Sequence, residues 1–133
     1  MDVDDETLAL FASLKLGLRP AEAHEIISNE RRRVLIRELA AVDETDHRGE
    51  IVVDVSELAE AIAAAEAGIT PDEVSRKHRR RVYIALLQSH APLLDSYGVV
   101  RFFDRPKKIQ ASSEVDALAT ILEAIRVACW RAE

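Results

Sequence analysis

Residues 70–111 read TPDEVSRKHRRRVYIALLQSHAPLLDSYGVVRFFDRPKKIQA, and this stretch decides the fold. It opens with helix-start chemistry. Thr70 suits an N-cap, Pro71 suits the first helical position, and Asp72 and Glu73 place carboxylates where the helix dipole favours them. A helix is therefore predicted from Pro71 to about Ser89. On a wheel of 100° per residue, Ser75, Val82, Leu86, Ser89 and His90 share one side. Lys77, Arg80, Arg81 and Gln88 take the opposite side, with Arg76 on the flank. Arg79 falls towards the apolar side, as a snorkelling or ion-paired residue would. Ile84 falls outward, so the amphipathic pattern is imperfect. Pro92 then restarts a short helix that Gly98 stops. Val99–Phe103 reads as a strand, Asp104–Lys108 as a basic turn, and Ile109–Ala111 as the returning strand.

Charge singles out the same stretch. Residues 76–110 hold nine Lys/Arg against Asp95 and Asp104, a local balance of +7 in a chain of net charge −6. Screening confines an exposed charge to about 10 Å at 0.1 M salt, so a basic face works on an acidic body. Arg outnumbers Lys fourteen to four and acids are plentiful, a composition that suits a salt-adapted proteome.

The flanks extend the pattern. Leu8, Phe11 and Leu14 are spaced for one helical face, before Gly17, Pro20 and a linker or short helix at 21–27. Ser28 is read as the N-cap of a helix from Asn29 to Val42, with Val34, Leu35, Leu39 and Val42 as its apolar stripe. A polar loop leads to Ile51-Val52-Val53, a short β-branched strand. Ser56 is read as the cap of a helix from Glu57 to Ala67, which Gly68 ends. Residues 51–75 contain six acids and no base, so that helix is not expected to face phosphate. After Ser112 or Ser113, a last helix runs to Arg131. Its Val115, Leu118, Leu122, Ile125 and Cys129 alternate by three and four, an a/d pattern over about two heptads.

The order helix, strand, helix, helix, strand, basic turn, strand is that of a winged helix-turn-helix. The predicted fold class is mainly α with a small β-wing, plus N-terminal and C-terminal helices. It divides into an acidic extension (1–27), the winged domain (28–111) and a C-terminal dimerisation helix (112–133). The function expected is a DNA-binding transcriptional regulator acting as a homodimer. Helix 71–89 would enter the major groove and present side chains to base edges, and the wing 101–108 would grip the backbone. The candidate DNA contacts are Arg76, Lys77, Arg80, Arg81, Arg101, Arg105, Lys107 and Lys108. The candidate dimer seam is Val115, Leu118, Leu122, Ile125 and Cys129.

Three segments resemble a haloarchaeal winged-helix family of uncharacterised function. They are SNERRRVLIRELA (28–40), VSELAEAIAAAE (55–66) and RRRVYIALLQSHAPLLDSYGVVRFFD (79–104). Arg80, Arg81, Val82, Tyr83, Leu86, His90, Pro92, Leu93 and Gly98 match the pattern. Ala91 departs from the Leu usual between His and Pro, a change of packing only. The resemblance spans residues 28–104 and implies an archaeal transcriptional regulator. The wing 105–108 and the last helix lie outside it.

Other readings stay beside these. Arg76–Arg81 also fits a solvated face paired with the acidic 51–75 stretch. Arg31–Arg33 either touch phosphate or pair with Glu30 and Glu38. The rival functions are a winged-helix protein-interaction module and a DNA-organising protein without sequence preference. His90 reads as a packed, capping histidine, and Tyr83 as core. His24, His47, His78 and His90 show no metal-ligand spacing with Cys129, so no metal or cofactor is expected. No Gly-rich phosphate loop or nucleophile motif stands out, so an enzyme is not expected. The single Cys129 fits a reducing cytoplasm, and the absence of an 18-residue apolar run argues against a membrane span.

Overall fold

A computed structural model describes residues 17–131, with side chains through residue 127. The expected helix around Leu8, Phe11 and Leu14 lies outside the described residues, as do the side chains of Cys129 and Trp130.

Helix α1 (Pro20–Ile27) and helix α2 (Glu30–Ala40) meet at a sharp corner. Ser28 closes α1, its hydroxyl donating to the Glu25 carbonyl at 2.9 Å. The cap of α2 is Asn29, whose side-chain oxygen accepts the Arg32 N–H at 3.0 Å. The expected Ser28 cap therefore moves by one residue. With the Ser28 hydroxyl donating at the end of α1, the Asn29 side-chain oxygen is the acceptor that caps α2.

Strand β1 (Val52–Asp54) runs directly into helix α3 (Val55–Ala67), which ends at Gly68 with φ 67°. That left-handed conformation is cheap only for glycine. The expected start at Pro71 is corrected next. Pro71–Glu73 form a separate 3₁₀ turn boxed by Thr70 and Glu73, and helix α4 (Arg76–Ala85) begins only after Ser75 caps it through the His78 N–H. The Thr70–Glu73 pairing and the Ser75 cap, five residues apart, favour two starts over one long helix.

The break expected near Pro92 is also absent. A π turn (Leu86–His90) carries α4 into helix α5 (Ala91–Ser96). Pro92 lacks an N–H and its ring crowds the carbonyl four residues back. The chain absorbs this by widening a turn, with the Ala91 N–H bonding the Leu86 carbonyl five residues back.

Strand β2 (Val100–Asp104) and strand β3 (Lys107–Ala111) form a hairpin around Arg105-Pro106, and the sheet order is β1-β3-β2, all antiparallel. The returning strand starts two residues earlier than expected, so Lys107 and Lys108 sit in the ladder rather than in the turn. Register puts Phe102, Ile109 and Val53 side by side facing the helices. Arg101 and Gln110, then Phe103 and Lys108, stand on the other face. Helix α6 (Ser113–Arg131) starts as predicted, with Ser112 Oγ accepting the Glu114 N–H and donating to the Val99 carbonyl.

The architecture is thus mainly helical with a small antiparallel wing, in the order expected. One core unites it. Ile26, Leu35, Ile36, Leu39, Ile62, Val82, Leu86, Leu94 and Ile109 are fully buried. Each such side chain contributes about 1.5–3 kcal/mol on leaving water. The stripe of α6 joins this core against α2, with Val115, Leu118, Ile121 and Leu122 at 0–1% exposure. This corrects the dimer seam. A narrow a/d stripe in a single protomer already has an apolar partner, so Val115, Leu118 and Leu122 are not free to face a second copy. Ile125 is half-buried, and Cys129 lies beyond the described side chains. No helix among the described residues is long and apolar enough to cross a membrane.

Candidate nucleic-acid interface

Helix α4 is divided into three stripes by its own periodicity. His78, Val82 and Leu86, at intervals of four, face the core, with Val82 and Leu86 fully buried. Lys77, Arg81, Ile84 and Gln88 run along the outside and are all exposed. Arg76, Arg79, Arg80 and Tyr83 form the third stripe. With Ser56 from the first turn of α3 they line a groove of about 500 Å³.

The cations expected on one outer face therefore separate. Lys77 and Arg81 point outward beside Ile84, an apolar side chain left 37% exposed. Arg76 and Arg80 turn towards α3, where Arg79 joins them. The expectation that Arg79 is ion-paired is not met. It is exposed, and among the described residues no ion pair reaches any of Arg76, Lys77, Arg79, Arg80 and Arg81. The acidic 51–75 stretch reaches this helix through Glu66 and His78 but not through these cations, which stand as a solvated face. Three cations, Arg76, Lys77 and Arg79, also stand in the first turn of a helix that has no acid there, with Arg80 and Arg81 next. Each of the three costs a few tenths of a kcal/mol against the dipole.

Glu66 ties the helical layer together. It accepts from Arg31 Nε at 2.7 Å and Nη2 at 3.1 Å, and lies 2.9 Å from His78 Nε2. Burial alone would raise its carboxyl, but the hydrogen bonds and charges of Arg31 and His78 hold it below the usual carboxylate value. Arg31 thus pairs across to α3, not with Glu30 or Glu38. Arg32 donates to the Ile26 carbonyl at 3.3 Å and the Glu25 carbonyl at 2.7 Å, and Arg33 to the Ile27 carbonyl at 2.7 Å. These two cap the C-terminal end of α1, whose last carbonyls attract cations.

His90 sits behind α4 at 6% exposure, and its Nδ1 has no hydrogen-bond partner among the described residues. It is packed, as expected, but caps nothing. Burial first, then the charges of Arg32 and Arg31, push its pKa down to about 4, so the ring is neutral near pH 7.

The wing brings its cations to the sheet edge and outer face. Arg105 is exposed at the turn. The Arg101 guanidinium lies 4.9 Å from the Phe103 ring centroid. Lys107 Nζ lies 2.6 Å from Asp104 Oδ1, and Lys108 Nζ lies 3.3 Å from Asp54 Oδ1. Exposed pairs of this kind are worth about 0–1 kcal/mol, so both ammoniums exchange partners easily. The link to Asp54 matters locally. Asp54 stands at the N-cap position of α3, but its side chain makes no capping hydrogen bond.

Ser56, Arg79 and Tyr83 are the lining residues that sequence reasoning did not assign to the site. The spacing of Arg76, Arg79, Arg80 and Tyr83 (i, i+3, i+4, i+7) was a usable signal once the helix start moved to Arg76. Nothing local marked Ser56. Among the described residues no group of three or more His, Cys, Asp and Glu is placed to hold a metal ion.

Residues 24–110 match the profile of the Domain of unknown function (DUF7344) family, about two thirds of the chain, and the chain belongs to that family. No curated protein and no solved structure is significantly similar to it.

Proposed function

We propose that this protein is a cytoplasmic DNA-binding regulator of transcription, with α4 as the helix that enters the major groove and the β2–β3 hairpin as the wing. One observation carries the reading. Five exposed cations on one helix have no ion-pair partner among the described residues, although the three in its first turn weaken the helix that bears them. Local choices that oppose folding concentrate at functional surfaces. A helix of this diameter fits the major groove, where Lys77 and Arg81 meet base edges or phosphate. Ile84 supplies the apolar contact that suits a thymine methyl, and Gln88 a donor–acceptor pair that suits adenine. Arg101, Arg105, Lys107 and Lys108 would neutralise backbone phosphates from the wing. The resemblance of residues 28–104 to a winged-helix family of uncharacterised function, which implies a regulator, points the same way.

The homodimer belongs to this proposal as well, without the seam first assigned to it. Of that stripe, Ile125 is the one position whose described side chain is left partly exposed. Two copies would read half-sites about 34–36 Å apart. Sedimentation of the protein alone tests this, and a monomer at all concentrations removes the two-half-site geometry.

The main experiment is duplex binding titrated across salt, using the protein's own upstream DNA with random DNA as competitor. The expected slope is about −0.9 in log affinity per phosphate neutralised. Binding that survives competitor supports a sequence-specific regulator, with a preference of roughly 10³-fold or more. Binding that competitor abolishes redirects the reading to a DNA-organising protein. No binding even at low salt overturns it.

A further inference from the structure

The groove between α4 and α3 is separate from the outward stripe that would read bases. Arg76, Arg79, Arg80 and Tyr83 face Ser56 across about 500 Å³, and no carboxylate is among the lining residues. Like charges gathered around one space repel, and a bound anion relieves that repulsion. No acid of the protein does so among the described residues. The α3 side of the groove contributes Ser56, two residues after Asp54, whose carboxylate makes no capping hydrogen bond and pairs with Lys108 instead.

We propose that this groove is a phosphate-binding site. Guanidinium forks hold phosphate oxygens bidentately and stay charged at any working pH. Ser56 and Tyr83 add hydroxyl donors, and the Tyr83 ring offers a face to a base or sugar. The volume lies within the range of small-ligand pockets and accommodates pyrophosphate or the phosphates of a nucleotide. The recognised chemistry is a phosphate group, carried either by a small phosphorylated molecule or by a nucleic-acid backbone. Because the groove and the outward stripe share α4, a small phosphorylated ligand in the groove competes with duplex. That competition rests on the DNA-binding reading, whereas the anion site does not.

The test uses the full chain and sodium pyrophosphate as the probe, at constant ionic strength, followed by calorimetry. Wild type, Arg79→Gln, Arg76→Gln and Lys77→Gln are compared, and each is also titrated with a labelled duplex. All three positions are exposed, so thermal melts should coincide and confirm that the variants are folded. The expected result is saturable pyrophosphate binding, weakened about tenfold or more by Arg79→Gln and by Arg76→Gln but less than about twofold by Lys77→Gln. A duplex that depends on Arg79 while pyrophosphate stays silent assigns the site to backbone phosphate and still supports it. Pyrophosphate binding without any duplex binding supports the site and sinks the DNA reading. If neither probe responds to Arg79→Gln or Arg76→Gln, the site does not exist, while a duplex still weakened by Lys77→Gln leaves the DNA reading standing.

Discussion

The chain contains nearly the same hexapeptide twice, RRRVLI at 31–36 and RRRVYI at 79–84, and the structure uses the two in opposite ways. Both lie in α-helices; the first buries Leu35 and Ile36 behind its arginines, the second only Val82, leaving Ile84 exposed. The first triplet is spent inside the protein. Arg31 forks onto Glu66, and Arg32 and Arg33 reach back to the carbonyls of Glu25, Ile26 and Ile27. The second triplet, Arg79–Arg81, finds no acid and no carbonyl among the described residues. The cause lies just upstream. Helix α1 ends two residues before α2 and leaves carbonyls within arginine reach. A 3₁₀ turn precedes α4 instead, and its Glu73 is already bonded to Thr70. Identical local chemistry becomes structure or surface according to what its neighbours leave unsatisfied.

The widest effect should separate the two triplets directly. Arg80→Glu with Arg81→Glu is expected to lower duplex affinity about 10²- to 10³-fold near 0.1 M salt, with melting unchanged. Arg32→Ala with Arg33→Ala is expected to do the reverse. It removes charged hydrogen bonds to the end of α1, at a cost of about 2–4 kcal/mol, and leaves the affinity of the folded protein intact. Urea unfolding and anisotropy on both double variants check this. A second triplet that proves stabilising, with affinity unchanged, would erase the distinction.

His90 sharpens the comparison from behind. Its proton is opposed by burial and then by Arg32 and Arg31, both of the first triplet. Its folded pKa of about 4 lies below the 6.5 of the open chain, so the unfolded state takes up the proton first. Stability is therefore full above about pH 6.5, declines as pH falls, and levels off below about pH 4, with a total loss of about 2 kcal/mol. His90→Leu should flatten that window in urea titrations from pH 7 to 4. Arg32→Ala should move the midpoint of the decline upward, while Arg80→Gln should not move it. An equal response to both arginines would show that the second triplet also acts on the core.

The sequence carried the element order well because each boundary had its own punctuation. Gly68 closed α3 at a left-handed φ, and Ser112–Ser113 opened α6 where expected. It misplaced the start of α4 because Thr70 and Ser75 both carry capping chemistry, and a pattern reading chose the first. It also gave the stripe of α6 to a second copy. A stripe of about two heptads looks the same whether its partner is another chain or α2 of its own. At the site, the cations of α4 were legible as a cluster, but their division into an outward pair and an inward trio was not. That division depends on the true helix start and on Ser56, which only the packing of α3 against α4 brings near. The fate of Arg31–Arg33 was equally hidden, since it depends on carbonyls that exist only once α1 has formed.

The smallest effect tests where the wing belongs between these two extremes. Lys108 has a partner, Asp54 at 3.3 Å, yet that partner is itself 44% exposed. The pair should contribute less than about 1 kcal/mol. Lys108→Gln is thus expected to leave melting nearly unchanged, weaken duplex binding severalfold across all sequences and reduce the salt slope by about 1. Asp54→Asn should go the other way. Asp54 makes no capping hydrogen bond that the change would lose, and an asparagine no longer holds the lysine, so stability stays level and duplex affinity rises slightly at low salt. If instead Lys108→Gln lowers melting and the salt slope is untouched, Lys108 belongs with Arg31–Arg33 as a structural cation. The interface would then shrink to α4 and the exposed Arg101 and Arg105.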